Sequence, residues 1–149
     1  MELNKLKDIK MKDRKVILST LWIFALFNYI YADITSLTEA VFIPGMLEKL
    51  MTEGVGGPIQ ITQGLLLAGA ILMETAIAMV LLSRVLKYRA NRWANIIVGI
   101  IHTAAVLAST VVGGEMPSPF YIFFITVEVV CTLFIIWYAW TWRKQEGQP

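Results

Sequence analysis

Three stretches of the chain, residues 16–32, 54–73 and 93–114, contain no Asp, Glu, Lys or Arg, and a fourth, 116–142, contains only Glu128. Each extends readily to the ~20 residues that a helix needs to cross ~30 Å of hydrocarbon. The pattern predicts an all-α integral membrane protein, a four-helix transmembrane bundle over residues 16–142. Its spans are expected near 16–40, 61–83, 91–112 and 119–142. Breaks fall where they are needed: Pro44-Gly45 after the first span, Gly54, Gly56, Gly57 and Pro58 before the second, and Gly113, Gly114, Pro117 and Pro119 before the fourth. Residues 1–15 and 143–149 are left as tails. Half of the 24 charged residues lie in those tails, in a chain that is 57% hydrophobic with a mean hydropathy of +0.65. This excludes a disordered chain, a secreted disulfide scaffold and an ordinary cytosolic domain. Cys131 is the single cysteine, so neither an internal disulfide nor a thiolate zinc site is available.

The basic residues predict orientation. Lys5, Lys7, Lys10, Lys12, Arg14 and Lys15 precede the first span, Arg84, Lys87, Arg89 and Arg92 lie between the second and third, and Arg143 and Lys144 follow the fourth. Twelve of thirteen therefore share one side, with Lys49 alone opposite, which places both termini in the cytoplasm. The first apolar segment starts behind 15 hydrophilic residues and is too long for a cleavable signal. Leu3, Leu6, Ile9 and Met11 share a helical spacing, but acidic residues interrupt the basic run. The tail reads as a solvated topogenic segment, and no nucleic-acid partner is expected. In the loop after the first span, Met46, Leu47, Leu50 and Met51 fall on one side of a short surface helix.

The chemistry is expected where polar groups enter the apolar spans. Glu74, His102 and Glu128 each lie about 9 or 10 residues from a span end. At 1.5 Å per residue this is ~14 Å, near the bilayer midplane. Asn28 reaches a similar depth, and Asp33 lies about 7.5 Å farther out. A lone carboxylate at the midplane costs at least ~2.5–3.5 kcal/mol, so these groups are expected to converge. Helical spacing supplies the stripes: Gln63, Leu67, Ala70, Glu74 and Ala78; Asn95, Gly99, His102, Ser109 and Gly113; Tyr121, Phe124, Glu128, Cys131 and Thr132. On the first span Asn28, Tyr31, Thr35 and Glu39 align, whereas Asp33 is turned ~140° away with Tyr29 and Ser36. That face is expected to meet a neighbouring helix or subunit, with a homodimer as the assembly that covers it.

Glu74 and Glu128 are expected to share one proton, with His102 as relay. No metal or other cofactor is expected, because carboxylate di-iron bundles need a Glu-x-x-His pair on each of two helices and the chain has one His. Trp22, Trp93, Trp137, Tyr138, Trp140 and Trp142 read as interfacial anchors. Gly64 with Ala68, and Ala104 with Ala108, permit close helix contact, inside the bundle or between subunits.

The stretch LSTLWIFALFNYIYADI, residues 18–34, resembles the opening of an uncharacterised family of small prokaryotic four-helix membrane proteins. Glu74 followed by an apolar half-helix and the basic turn RVLKYRANR is similar to the second and third helices of DoxX-like membrane proteins, although the glycine-rich first-helix pattern of that group is absent. Neither resemblance implies an activity or a residue role; the first implies a multi-pass protein of a prokaryotic plasma membrane. The function expected from the residues is binding or transport of a small apolar or cationic ligand, proton-coupled, at Glu74, His102, Glu128, Asn28 and Asp33. The alternatives are a membrane enzyme doing acid/base chemistry on a lipid-soluble substrate and a non-catalytic accessory subunit.

Overall fold

The computed structural model describes residues 2–56, 59–112 and 117–142, with side chains over 13–49, 51–54, 60–110 and 117–142. The tail at 143–149, the Gly113-Gly114 break and the side chains of the tail at 1–12 lie outside the described residues.

The first helix, α1, runs over Glu2–Phe42, 41 residues or ~60 Å, about twice the hydrocarbon thickness. No Gly or Pro interrupts those residues, so the helix of the span continues backward through the basic tail. It ends before Pro44-Gly45, where Gly45 turns the chain at φ 80° into α2, Met46–Glu53. Gly54, at φ 64°, closes α2, and both positions use the left-handed conformation that glycine adopts without steric cost. Two-residue strands, Val55–Gly56 (β1) and Ile59–Gln60 (β2), then pair antiparallel. Thr62 caps α3, Gln63–Val85, by accepting the Leu65 amide on its hydroxyl at 3.1 Å. A short turn leads to α4, Tyr88–Val112, and α5, Pro119–Trp140, opens with proline in its first turn, where no helical amide is needed.

Among the described residues four stretches are long and apolar enough to cross a membrane: Asp13–Phe42, Gln63–Val85, Tyr88–Thr110 and Pro119–Trp140. A helical bundle suits such a chain, since a helix satisfies its own backbone where no water can. In the bundle α1 lies between α3 and α5, α4 packs extensively on α5, and the α3–α4 seam is the slightest. α1 and α4 are therefore diagonal, and they meet through long side chains across the centre. α4 packs tightly on α5 at Gly99, where an added Cβ would stand 2.7 Å from Ile136 Cγ1. Gly64, Ala68, Ala104 and Ala108 are all exposed, so neither small-residue pair is used inside the bundle.

The half of the bundle nearer the chain termini holds a buried polar network. Trp22, fully buried, donates from Nε1 to Asn95 Oδ1 at 2.8 Å; Asn95 donates to Asn91 Oδ1 at 2.7 Å, and Asn91 donates to the Ser83 carbonyl. Trp22 is thus a core residue and not an interfacial anchor. Trp142 is buried too, its carbonyl accepting from Tyr88 Oη at 2.6 Å. Trp93, Trp137 and Trp140 do remain at the surface. Arg14 and Arg92 lie over the rings of Tyr138 and Trp140.

Candidate functional site

The other half of the bundle, toward α2 and the β1–β2 pair, encloses a cavity of about 250 Å³. At the ~30 Å³ that a water occupies in the liquid, that is room for roughly eight waters or one small ligand. All four spanning helices line it: Tyr29, Ala32 and Asp33 from α1, Gly69, Leu72 and Met73 from α3, His102, Ala105, Val106 and Ser109 from α4, Tyr121 and Glu128 from α5. His102 to Ser109 and Glu128 to Tyr121 are each seven residues, or ~10.5 Å along the axis. His102 and Glu128 form the closed end, 1% and 5% exposed, whereas Asp33, Gly69 and Ser109 are exposed at the open end.

His102 sits at the centre of the bundle. Its ring stacks on Tyr29, centroids 5.5 Å apart, and meets Trp22 edge-on at 5.3 Å. Its Nε2 is 3.0 Å from Thr75 Oγ1. The Thr75 hydroxyl has one hydrogen, and it donates this to the Leu72 carbonyl at 2.6 Å. The hydroxyl oxygen is then left to accept, so His102 Nε2–H is the donor and Nδ1 carries a bare lone pair. Among the described residues that Nδ1 has no partner, and neither has Tyr29 Oη or Glu128 Oε1. Three unpartnered, buried polar atoms thus belong to residues lining one cavity, where such atoms are ordinarily hydrogen-bonded. The neighbouring hydroxyls are satisfied: Thr132 Oγ1 contacts the Glu128 carbonyl at 3.0 Å and accepts from Thr103 at 2.8 Å. At the open end the Ser109 hydrogen goes to the Val106 carbonyl at 2.7 Å, so Tyr121 Oη donates to Ser109 Oγ at 3.2 Å, tying α5 to α4.

His102, Glu128 and Asp33, expected from their depth and type, are brought to this one cavity. Asn28 is not: it is half-buried outside the lining, and its amide donates to the Phe24 carbonyl of its own helix at 2.8 Å. Glu74 is not either. It stands exposed on the outer face of α3 with Gln63, Leu67 and Ala70, while Ala76, Met79 and Ser83 face the core. Glu74 therefore does not meet Glu128 in this fold, and the carboxyl that shares the cavity with Glu128 is Asp33. Because Asp33 reaches a cavity of its own chain, its angle from Asn28 no longer calls for a second subunit. Tyr29 and Thr75 complete the site; Tyr29 shared a helical face with Asp33, but Thr75 had no signal beyond standing next to Glu74. Among the described residues no three of His, Cys, Asp and Glu are grouped to hold a metal.

A family model, described as a family of unknown function (DUF6326), matches residues 6–148 of the chain. No curated protein and no solved structure matches it.

Proposed function

Starting from the fact that the chain belongs to this family of unknown function, we propose that it binds a small amphipathic ligand with a cationic, hydrogen-bond-donating head. The observation that carries this reading is the set of unpartnered buried atoms, Tyr29 Oη, His102 Nδ1 and Glu128 Oε1, on residues lining one cavity. His102 Nδ1 is an acceptor and Glu128 a carboxyl, Asp33 adds a second carboxyl, and among the described residues no Lys or Arg lines the cavity. An ammonium group satisfies acceptors of this kind and offsets the cost of a buried carboxylate. Leu72, Met73, Ala105 and Val106 offer apolar contact to the rest of the ligand.

The crowding of basic residues at the terminal end supports a plasma-membrane protein with cytoplasmic termini and a cavity open to the outside. Passage to the other side would require opening the Trp22–Asn95–Asn91 network, so the arrangement fits an outward-facing binding site of a carrier or receptor. The bare lone pair on His102 favours acid/base catalysis on a lipid-soluble substrate as the second reading.

Hexylammonium and its neutral isostere 1-hexanol distinguish a cation site from a merely apolar hole. In lipid nanodiscs, calorimetry should show the amine binding at least about tenfold more tightly, a difference of ~1.4 kcal/mol. Glu128→Gln should remove that preference, and Glu74→Gln should leave it intact. Equal binding of amine and alcohol to the unaltered chain would end the proposal. Turnover of a lipid-soluble substrate that stops in His102→Gln would move the reading to the enzyme.

A further inference from the structure

A second hollow, of about 420 Å³, lies on the outer surface in the seam between α1 and α3. Ile23, Leu26, Ile77 and Leu81 form its walls, and Ser19 and Arg84 stand at the end nearer the chain termini. Ser19 is fully buried; its hydroxyl donates to the Val80 carbonyl at 2.8 Å, which leaves its oxygen to accept from Arg84 Nε at 3.1 Å. The guanidinium is thereby pinned at the head of the hollow. Among the described residues no hydrogen bond uses either of its Nη groups, so four N–H donors remain in a planar fork. Lys15 adds a second cation alongside, its Nζ donating to the Arg84 carbonyl at 3.4 Å. Among the described residues no Asp or Glu lines the hollow.

Arg84 lies one residue from the end of α3, and Lys15 lies at the start of the α1 span. Both belong to the level where hydrocarbon gives way to headgroups. Leu26 and Ile77 are each seven residues deeper than Ser19 and Arg84, or ~10.5 Å. The hollow is therefore a cationic head joined to an apolar trough that runs from the interface into the bilayer. A free anion has no use for the trough, and a soluble peptide has no access to it. A phospholipid carries a phosphate and an acyl chain in that order along the membrane normal. Two cations with no carboxylate between them favour a lipid of net negative charge over a zwitterion, whose amine would be repelled. We propose that this seam is a binding site for one anionic phospholipid, its phosphate on Arg84 and Lys15 and one acyl chain between α1 and α3.

The test is native mass spectrometry of the full chain, released from mixed micelles holding equal amounts of phosphatidylglycerol and phosphatidylcholine of the same chain length. The unaltered protein should retain phosphatidylglycerol about tenfold over phosphatidylcholine. Arg84→Gln should reduce that preference about fivefold. Arg89→Gln removes a cation from the same end of the bundle but away from the hollow, and should change it little. Ile77→Trp, on the lipid-facing surface, fills the trough and should lower retention of phosphatidylglycerol with Arg84 still in place. Equal loss in Arg84→Gln and Arg89→Gln would reduce the effect to the diffuse charge of that end. Undiminished retention in Ile77→Trp, or displacement of the lipid by 10 mM inorganic phosphate, would likewise overturn the site. The readout is independent of the cavity beside His102, so its failure leaves that reading standing.

Discussion

Thr75→Val removes one oxygen from the centre of the site and keeps the shape of the side chain. In the native arrangement Thr75 Oγ1 accepts from His102 Nε2 at 3.0 Å, because its own hydrogen is committed to Leu72. Valine leaves a donor on a ring that is 1% exposed and whose Nδ1 already has no partner. Stripping a buried donor of its acceptor costs about 1–3 kcal/mol, whereas hydrogen bonds between membrane helices average ~0.6 and reach ~1.7 kcal/mol. The lower average holds where a freed group finds another partner. The Trp22 and Tyr29 rings enclose His102, but the Leu72 carbonyl that Thr75 releases lies beside the ring and can accept in its place, so the expected loss is about 0.6–1.7 kcal/mol, roughly a 3- to 18-fold shift in the folding equilibrium. SDS titration in mixed micelles measures it. His102 is the sole histidine, so a nitrogen-15 spectrum of histidine-labelled protein contains a single imidazole. The unaltered chain should show a protonated Nε2 and a bare Nδ1; Thr75→Val should mix the tautomers, and Thr75→Ser should restore both stability and tautomer. A protonated Nδ1 in the unaltered chain, or a valine variant changed in neither respect, would refute the hydrogen-bond assignment and with it the acceptor offered to a ligand.

Gly99→Ala should destabilise by up to about 2 kcal/mol, because overpacking against Ile136 costs ~1–3 kcal/mol and alanine returns about 1 in helix propensity. Adding Ile136→Ala should recover part of the loss, and additive effects in that double-mutant cycle would place the contact elsewhere. A cysteine at Glu53 should react with an impermeant reagent from outside while one at Gln145 should not; equal labelling of both would sink the assigned sidedness. Glu74→Leu should raise stability in SDS titration, by up to ~2.5–3.5 kcal/mol if the face meets only lipid. Lost stability, together with a monomer in place of a dimer by mass measurement in nanodiscs, would put a second copy of the chain against α3.

Hydropathy and chain breaks made the spans legible, because length and apolar content can be read without knowing which way a helix faces. Facing is harder. α4 betrayed its inner side, since Asn91, Asn95 and His102 recur at helical spacing opposite Trp93, Ile97 and Ile100, and all three polar residues are buried while those apolar ones are exposed. α3 is apolar on every side, so its few polar residues were the only guide. Glu74 and Thr75 are ~100° apart, and the cost of a carboxyl in lipid points to Glu74 as the one facing inward. In the fold the interior of α3 follows Ala76, Met79 and Ser83, which are small or pliant enough to pack at the centre, and Thr75 comes with them. Trp22 misled for a related reason: its depth resembles that of an anchor, and its buried acceptor, Asn95, lies 73 residues away.

The two polar faces of α1 show what decides such cases. Asn28 and Thr35 donate to carbonyls four residues back on their own helix, at 2.8 and 2.7 Å, so that face needs nothing from the bundle. A rigid tyrosine phenol and an aspartate carboxylate lacking a donor cannot do the same, and Tyr29 and Asp33 line the cavity. A polar residue in a membrane helix is thus a weak pointer to the interior when it can bond to its own backbone and a strong one when it cannot. By this rule Glu74 is the exception, because an ionised carboxylate offers the helix no donor and the amides inside α3 are already used. A carboxyl in that position is either left facing lipid at a cost or covered by another chain. These two resolutions give opposite signs for Glu74→Leu: removing a group tolerated by lipid stabilises the chain, whereas removing one side of a subunit contact weakens it.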